Sequence, residues 1–133
     1  MHILLTGKDN SITDTVAYML DSKQEYAITK YILPDRLENF RLSIERTSRF
    51  AAHIANLTGF SISPRELISA ILSELPSVPL LVLYSYRKEF LIKPLLEAGA
   101  TGYLQVGMSE ETLFEAIKNT SAGKQYIGIE ESL

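Results

Sequence analysis

The chain of 133 residues carries hydrophobic side chains at 46% of its positions and charged ones at 22%, usage that fits one folded domain and excludes the low-hydrophobicity, high-charge profile of disorder. Its formal net charge of −3 supplies no global positive field toward phosphate backbones or anionic lipid, so direct DNA binding by this chain is not expected. With no Cys, disulfide staples, thiolate catalysis and Cys-ligated zinc are excluded, and no apolar run approaches the roughly 18 residues of a membrane span. The opening Met1 to Lys8 is too briefly apolar, and lacks the basic lead-in, for a signal peptide, so a cytoplasmic setting is the expectation.

In chain order, Ile3-Leu4-Leu5-Thr6 ended by Gly7 reads as a strand buried on both faces. Val16, Ala17, Met19 and Leu20 then form one helical stripe to about Asp21, with Asn10, Ser11 or Thr13 as its cap. Tyr26 to Ile32 is β-branched and aromatic and stops before Pro34, which predicts a second strand. A second helix is expected over Asp35 to Arg46. Arg49 to Leu57 reads as a third buried strand, although its Ala content also permits a continuing helix. Ser63-Pro64-Arg65-Glu66 carries the cap, first-turn proline and acidic third position of a helix start, followed by Leu67, Ile68, Ile71, Leu72 and Leu75.

After the Pro76 to Pro79 break, Leu80 to Tyr84 is the clearest strand. Phe90, Leu91, Leu95, Leu96 and Ala98 give a fourth helix ending at Gly99, and Gly102 to Val106 a fifth strand. Ser109 caps a fifth helix carrying Leu113, Ala116, Ile117 and Thr120 and closed by Gly123. Five strands alternating with five helices predict one three-layer α/β sandwich with a parallel sheet and right-handed crossovers. The expected domain spans residues 1–127, with 128–133 a short tail or the start of a linker to a domain outside this chain.

With these elements in place, Pro76-Ser77-Val78-Pro79-Leu80-Leu81-Val82-Leu83-Tyr84, Leu95-Leu96-Glu97-Ala98-Gly99-Ala100-Thr101-Gly102-Tyr103-Leu104, Leu113-Phe114-Glu115-Ala116-Ile117 and Ala122-Gly123-Lys124-Gln125-Tyr126-Ile127 resemble the receiver domain of two-component response regulators, closest to the NarL/LuxR type. The likeness is strong from Glu66 onward and weaker before it. It implies a flavodoxin-like, CheY-like (βα)5 fold with a five-stranded sheet of order 2-1-3-4-5 and a site beyond the carboxyl ends of the strands. It also implies phosphoryl transfer to an Asp ending strand three, with Mg²⁺ held by two acidic residues after strand one, a Ser or Thr ending strand four and a Lys ending strand five.

This chain departs from that pattern at five positions: Gly7 and Lys8 stand at the acidic pair, Asn56 at the acceptor, Tyr84 at the hydroxyl residue and Val106 at the lysine. An ammonium in place of a carboxylate disfavours a dication, and an amide cannot form an acyl phosphate. A one-residue slip would bring Asp9 nearer the metal position without restoring an acceptor or the lysine. The expectation is a degenerate pocket with no metal, no cofactor and no catalytic residue. On this reading Gly7→Asp, Lys8→Asp, Asn56→Asp and Val106→Lys would be needed together to restore phosphorylation.

Other chemistries find little in the sequence. Thr6-Gly7-Lys8 lacks the spacing of a phosphate loop, His2 and His53 have no partner at ligand spacing, and no serine sits in a nucleophile elbow. Arg36, Arg41, Arg46 and Arg49, interleaved with Asp35, Glu38 and Glu45, read as a solvated helix face. The resemblance implies a partner or homodimer face built from the fourth helix, fifth strand and fifth helix, with Arg87, Lys88, Phe90, Tyr103, Glu110, Glu111 and Lys118 as its exposed candidates; Tyr103 also matches the family's switch aromatic. The expected function is therefore a phosphorylation-independent, non-enzymatic receiver acting by protein contact and regulating transcription through a DNA-binding domain outside this chain. Two further readings are a small-ligand sensor using Thr6, Lys8, Asn56, Thr58 and Ser85, or a stand-alone signalling adaptor. A phosphorylatable receiver would need a different strand-three alignment, with Asp35 or another carboxylate as acceptor.

Overall fold

Apolar runs without alternation become strands where a sheet is covered on both faces. In the computed structural model, which describes residues 1–37, 41–42 and 49–130, they do so as β1 (His2–Gly7), β2 (Ala27–Ile32), β3 (Ala52–Asn56), β4 (Leu80–Tyr84), β5 (Gly102–Gln105) and β6 (Tyr126–Gly128). The sheet order is β2-β1-β3-β4-β5-β6, and every neighbouring pair is parallel. All five residues of β3 are buried, whereas β2, at the edge, keeps Ala27, Lys30 and Ile32 exposed. Ala52 to Asn56 is thus strand, and the alternative of a continuing helix there falls away.

Among the described residues the helices are α1 (Ser11–Asp21), α2 (Pro64–Glu74), α3 (Glu89–Glu97) and α4 (Glu110–Ser121). The helix expected over Asp35 to Arg46 lies largely outside the described residues. Three helix starts are capped by side chains: the Asn10 carbonyl oxygen accepts from Thr13 N at 3.1 Å, Ser63 Oγ from Glu66 N at 3.2 Å and Ser109 Oγ from Thr112 N at 3.3 Å. Each cap holds one of the amides that a helix start leaves without a backbone partner.

Alternation along the strands splits the core into two layers. Ile3, Leu5, Ile54, Leu81, Leu83 and Leu104 face α1 and α4. Ala55, Leu80, Val82 and Tyr103 face α2 and α3. Gly102 lets α4 settle close on β5, because a Cβ there would lie 2.5 Å from Thr120 Oγ1 and 3.1 Å from Leu81 Cδ1. Each fully buried Leu or Ile contributes about 1.5–3 kcal/mol relative to exposure.

The sheet has six strands where five were expected. β6 follows α4 as a parallel crossover, pairing Gly102 with Tyr126, Tyr103 with Ile127 and Leu104 with Gly128. Three residues containing a glycine carry neither alternation nor a long apolar run, so nothing in the pattern marked them as strand. Gly128 is buried, and a Cβ on it would meet Leu104 Cδ1 at 2.8 Å and Tyr126 Cε1 at 2.9 Å; a boundary after residue 127 therefore cuts through the strand. Beyond it Glu130 N donates to Gln105 Oε1 at 2.8 Å. No helix among the described residues is long and apolar enough to cross a membrane.

Candidate functional site

The carboxyl ends of β1 and β3 and the start of α1 meet at Asn56, whose side chain is wholly buried. Its Nδ2 donates to Asn10 Oδ1 at 3.0 Å and to Thr13 Oγ1 at 2.8 Å, while its Oδ1 accepts from Thr58 Oγ1 at 2.7 Å and Thr58 N at 3.1 Å. The direction of each bond is fixed by the backbone. Thr13 N and Thr58 N can only donate, so Asn10 Oδ1 and Asn56 Oδ1 must be the acceptors they face, and the Asn56 NH2 is left pointing at Asn10. All four valences of the amide are used, as burial requires. Gly7 leaves the space for this arrangement, since a Cβ there would stand 2.8 Å from Thr13 Oγ1 and 2.9 Å from Asn56 Cβ. In the sequence Asn10 and Thr13 carry only a capping signature; their placement beside a glycine that ends a buried strand is the further signal.

Lys8 does not bond Asn56. Its Nζ pairs with Asp35 Oδ1 at 2.9 Å and lies 5.1 Å from the centroid of the Phe60 ring. Asp35 is exposed and follows β2 rather than β3, so it does not stand at an acceptor's place ending the third strand. Mg²⁺ takes hard oxygen ligands. A glycine, an ammonium and a saturated amide do not provide them, so the residues at this position do not fit the dication. Among the described residues no group of three or more His, Cys, Asp or Glu is placed to hold a metal.

Of the expected ligand-sensing set, Thr6, Asn56 and Thr58 are engaged within the protein and Ser85 is exposed. Thr6 Oγ1 meets His53 Nε2 at 2.8 Å. Burial pushes the His53 imidazole from the ordinary 6.5 down to about 3, so it stands neutral and serves as one half of a core hydrogen bond. His2 is likewise occupied, its Nε2 lying 2.7 Å from Thr29 Oγ1.

On the other side of the sheet's carboxyl end, Tyr84 is half-buried and stacks edge-on against Tyr86 at 4.8 Å. Val106, just past β5, donates its backbone N–H to the Tyr84 carbonyl at 3.0 Å, and its side chain lines an apolar groove against α1. Tyr84 thus stands in an aromatic cluster and Val106 at an apolar groove.

No family model matches the chain. Over 53 residues, 40% of this chain, it is 42% identical to the transcriptional regulatory protein LnrK of Bacillus subtilis, of whose length it spans about a quarter (24%). Among solved structures it superposes on a LuxR-family two-component response regulator from Aurantimonas sp. SI85-9A1 with a TM-score of 0.74 and 18% identity, covering 94% of this chain and 87% of that one. It superposes on the chemotaxis response regulator CheY4 of Vibrio cholerae with a TM-score of 0.68 and 21% identity, covering 90% and 98%.

The fold is that of a response-regulator receiver domain. Within the receiver fold Tyr103 is fully buried, its hydroxyl donating to the Tyr86 carbonyl at 2.7 Å, because it points from a covered sheet toward α3; burial raises the pKa of its phenol. Its expected place among exposed interface residues is therefore corrected. Arg87, Lys88, Phe90, Glu110, Glu111 and Lys118 are exposed as expected, Phe90 to 73%. α3 and α4 lie on opposite faces, β6 rather than β5 is the edge between them, and Glu110 Oε1 accepts from Ser22 Oγ at 3.1 Å at the end of α1. Of the expected solvated helix face, Arg46 with Glu38 and Glu45 lies outside the described residues, while Arg41 reaches Glu74 at 3.9 Å.

Proposed function

We propose that this chain is a receiver domain of two-component signal transduction that works by protein contact without an aspartyl phosphate and is not itself an enzyme. The observation that carries the reading is the Asn56 carboxamide: it occupies the end of β3, offers no carboxylate oxygen for an acyl phosphate, and has every valence satisfied by Asn10, Thr13 and Thr58. The receiver fold and the partial likeness to LnrK support a regulator whose DNA-binding part lies outside this chain, in the cytoplasm. The exposed Phe90, flanked by Arg87 and Lys88 at the start of α3, is the natural contact for a protein partner or a second copy, since a large aromatic on a surface gains most from being covered.

The test is incubation of the chain with acetyl phosphate and Mg²⁺ followed by intact mass measurement. The expected spectrum is that of the unmodified chain. A stable added phosphoryl group, mapped to any residue of the site, overturns the reading.

A further inference from the structure

A groove of about 160 Å³ opens between α1 and the turn that joins β5 to α4. Leu83 and Leu104 form its floor, and Val16, Met19, Val106 and Met108 its walls. Gly107, at φ +89°, sits in this turn with open space where a Cβ would stand. None of the residues lining the groove carries a charge.

The chemistry of this lining is selective. A water molecule needs two to four polar partners, and an apolar cavity of about 150 Å³ stays dry yet takes a benzene ring. Here the polar groups at the rim are few and partly used: Thr15 Oγ1 donates to the Ser11 carbonyl at 2.7 Å, and Gln105 Oε1 accepts from Glu130 N at 2.8 Å. The Gln105 NH2 has no protein acceptor among the described residues, and with the exposed Ser11 hydroxyl it supplies the free donors at the edge of an otherwise apolar space. An anion would lose its hydration there with no countercharge to meet it. We propose that the groove is a binding site for a small neutral molecule, about one aromatic ring in size, with a single hydrogen-bond acceptor directed at Gln105. This site is separate from the Asn56 centre and from the exposed Phe90, so it stands or falls independently of the proposed function.

The chain holds three methionines, two lining the groove and Met1 at the opposite, amino end of the sheet, so methyl NMR of methyl-labelled methionine contains its own control. Phenol is the probe and benzoate its charged counterpart. Saturable shifts of the Met19 and Met108 methyls with phenol in the millimolar range, Met1 and the benzoate titration remaining flat, are expected. Val106→Phe, which fills the groove, should weaken phenol binding by about tenfold or more, and Phe90→Ala should leave it unchanged. Thr15→Phe, from an exposed position on α1, provides the same block should Val106→Phe fail to fold. Absence of saturation, equal movement of Met1, equal binding of benzoate, or undiminished binding in a folded filling variant overturns the proposal.

Discussion

The two sides of the sheet's carboxyl end differ in what stands where the receiver pattern has charged groups. At β1 and β3 the space is filled: Gly7 contributes no side chain, and Asn56, Asn10, Thr13 and Thr58 satisfy one another in a buried polar cluster. At β5 and α4 the space is open, with the short apolar Val106 beside a groove that no charged residue lines. A polar group taken into the interior must find its partners, whereas a short apolar one need only leave a gap. One side has therefore become rigid and specific in its valences, and the other tolerant in its volume.

Acid should distinguish them most strongly. His53, on the same strand as Asn56 but with its side chain on the opposite face of the sheet, has a folded pKa of about 3 against 6.5 ordinarily. Its depressed folded value means the unfolded chain binds the extra proton, so the stability is fully present above about pH 6.5 and is lost as pH falls through 3, by roughly 5 kcal/mol in all. Urea unfolding across that range should show the decline, and His53→Gln should flatten it; an unchanged slope in the variant would remove His53 as the cause.

Next in size is Asn56→Asp, the change that would ordinarily be written to restore an acceptor. It replaces the amide donors facing Asn10 and Thr13 with a carboxylate oxygen set against the fixed acceptor Asn10 Oδ1, and should lower stability by about 3 kcal/mol. Thermal and urea unfolding measure it; a neutral result would mean that the cluster is not locked. Added volume gives the smaller contrast. Gly7→Ala must displace Thr13 Oγ1 or Asn56 and should cost about 2 kcal/mol, while Val106→Leu, beside the open groove, should change stability by no more than about 0.5 kcal/mol. Equal costs from urea midpoints would erase the distinction.

Much of this was legible from residue types. The unalternating Leu80 to Tyr84 run could only be a doubly covered strand, Ser63-Pro64-Arg65-Glu66 marked the start of α2 to the residue, and Gly99 and Gly102 framed the entry to β5. β6 was illegible because its pairing with β5, not its own three residues, makes it a strand. At the site, the types at 7, 8, 56, 84 and 106 were readable, but their partners were not. Lys8 turns to Asp35 across a long sequence separation, and the Asn10–Thr13 pair closes on Asn56 from a helix start whose capping role already accounted for both. Restoring four charged residues together is likewise harder than the types suggested, since a side chain at Gly7 has no room while Asn56 and Thr13 stay where they are.

The measurement that bears most directly on the closed centre is an amide NMR titration of the unmodified chain with Mg²⁺, alone and then with acetyl phosphate, read at Gly7, Lys8, Thr58 and the Asn56 side-chain NH2. The account predicts resonances that stay in place through saturating metal and phosphodonor. Saturable movement confined to those four groups would show a working cation and phosphoryl site there and contradict it.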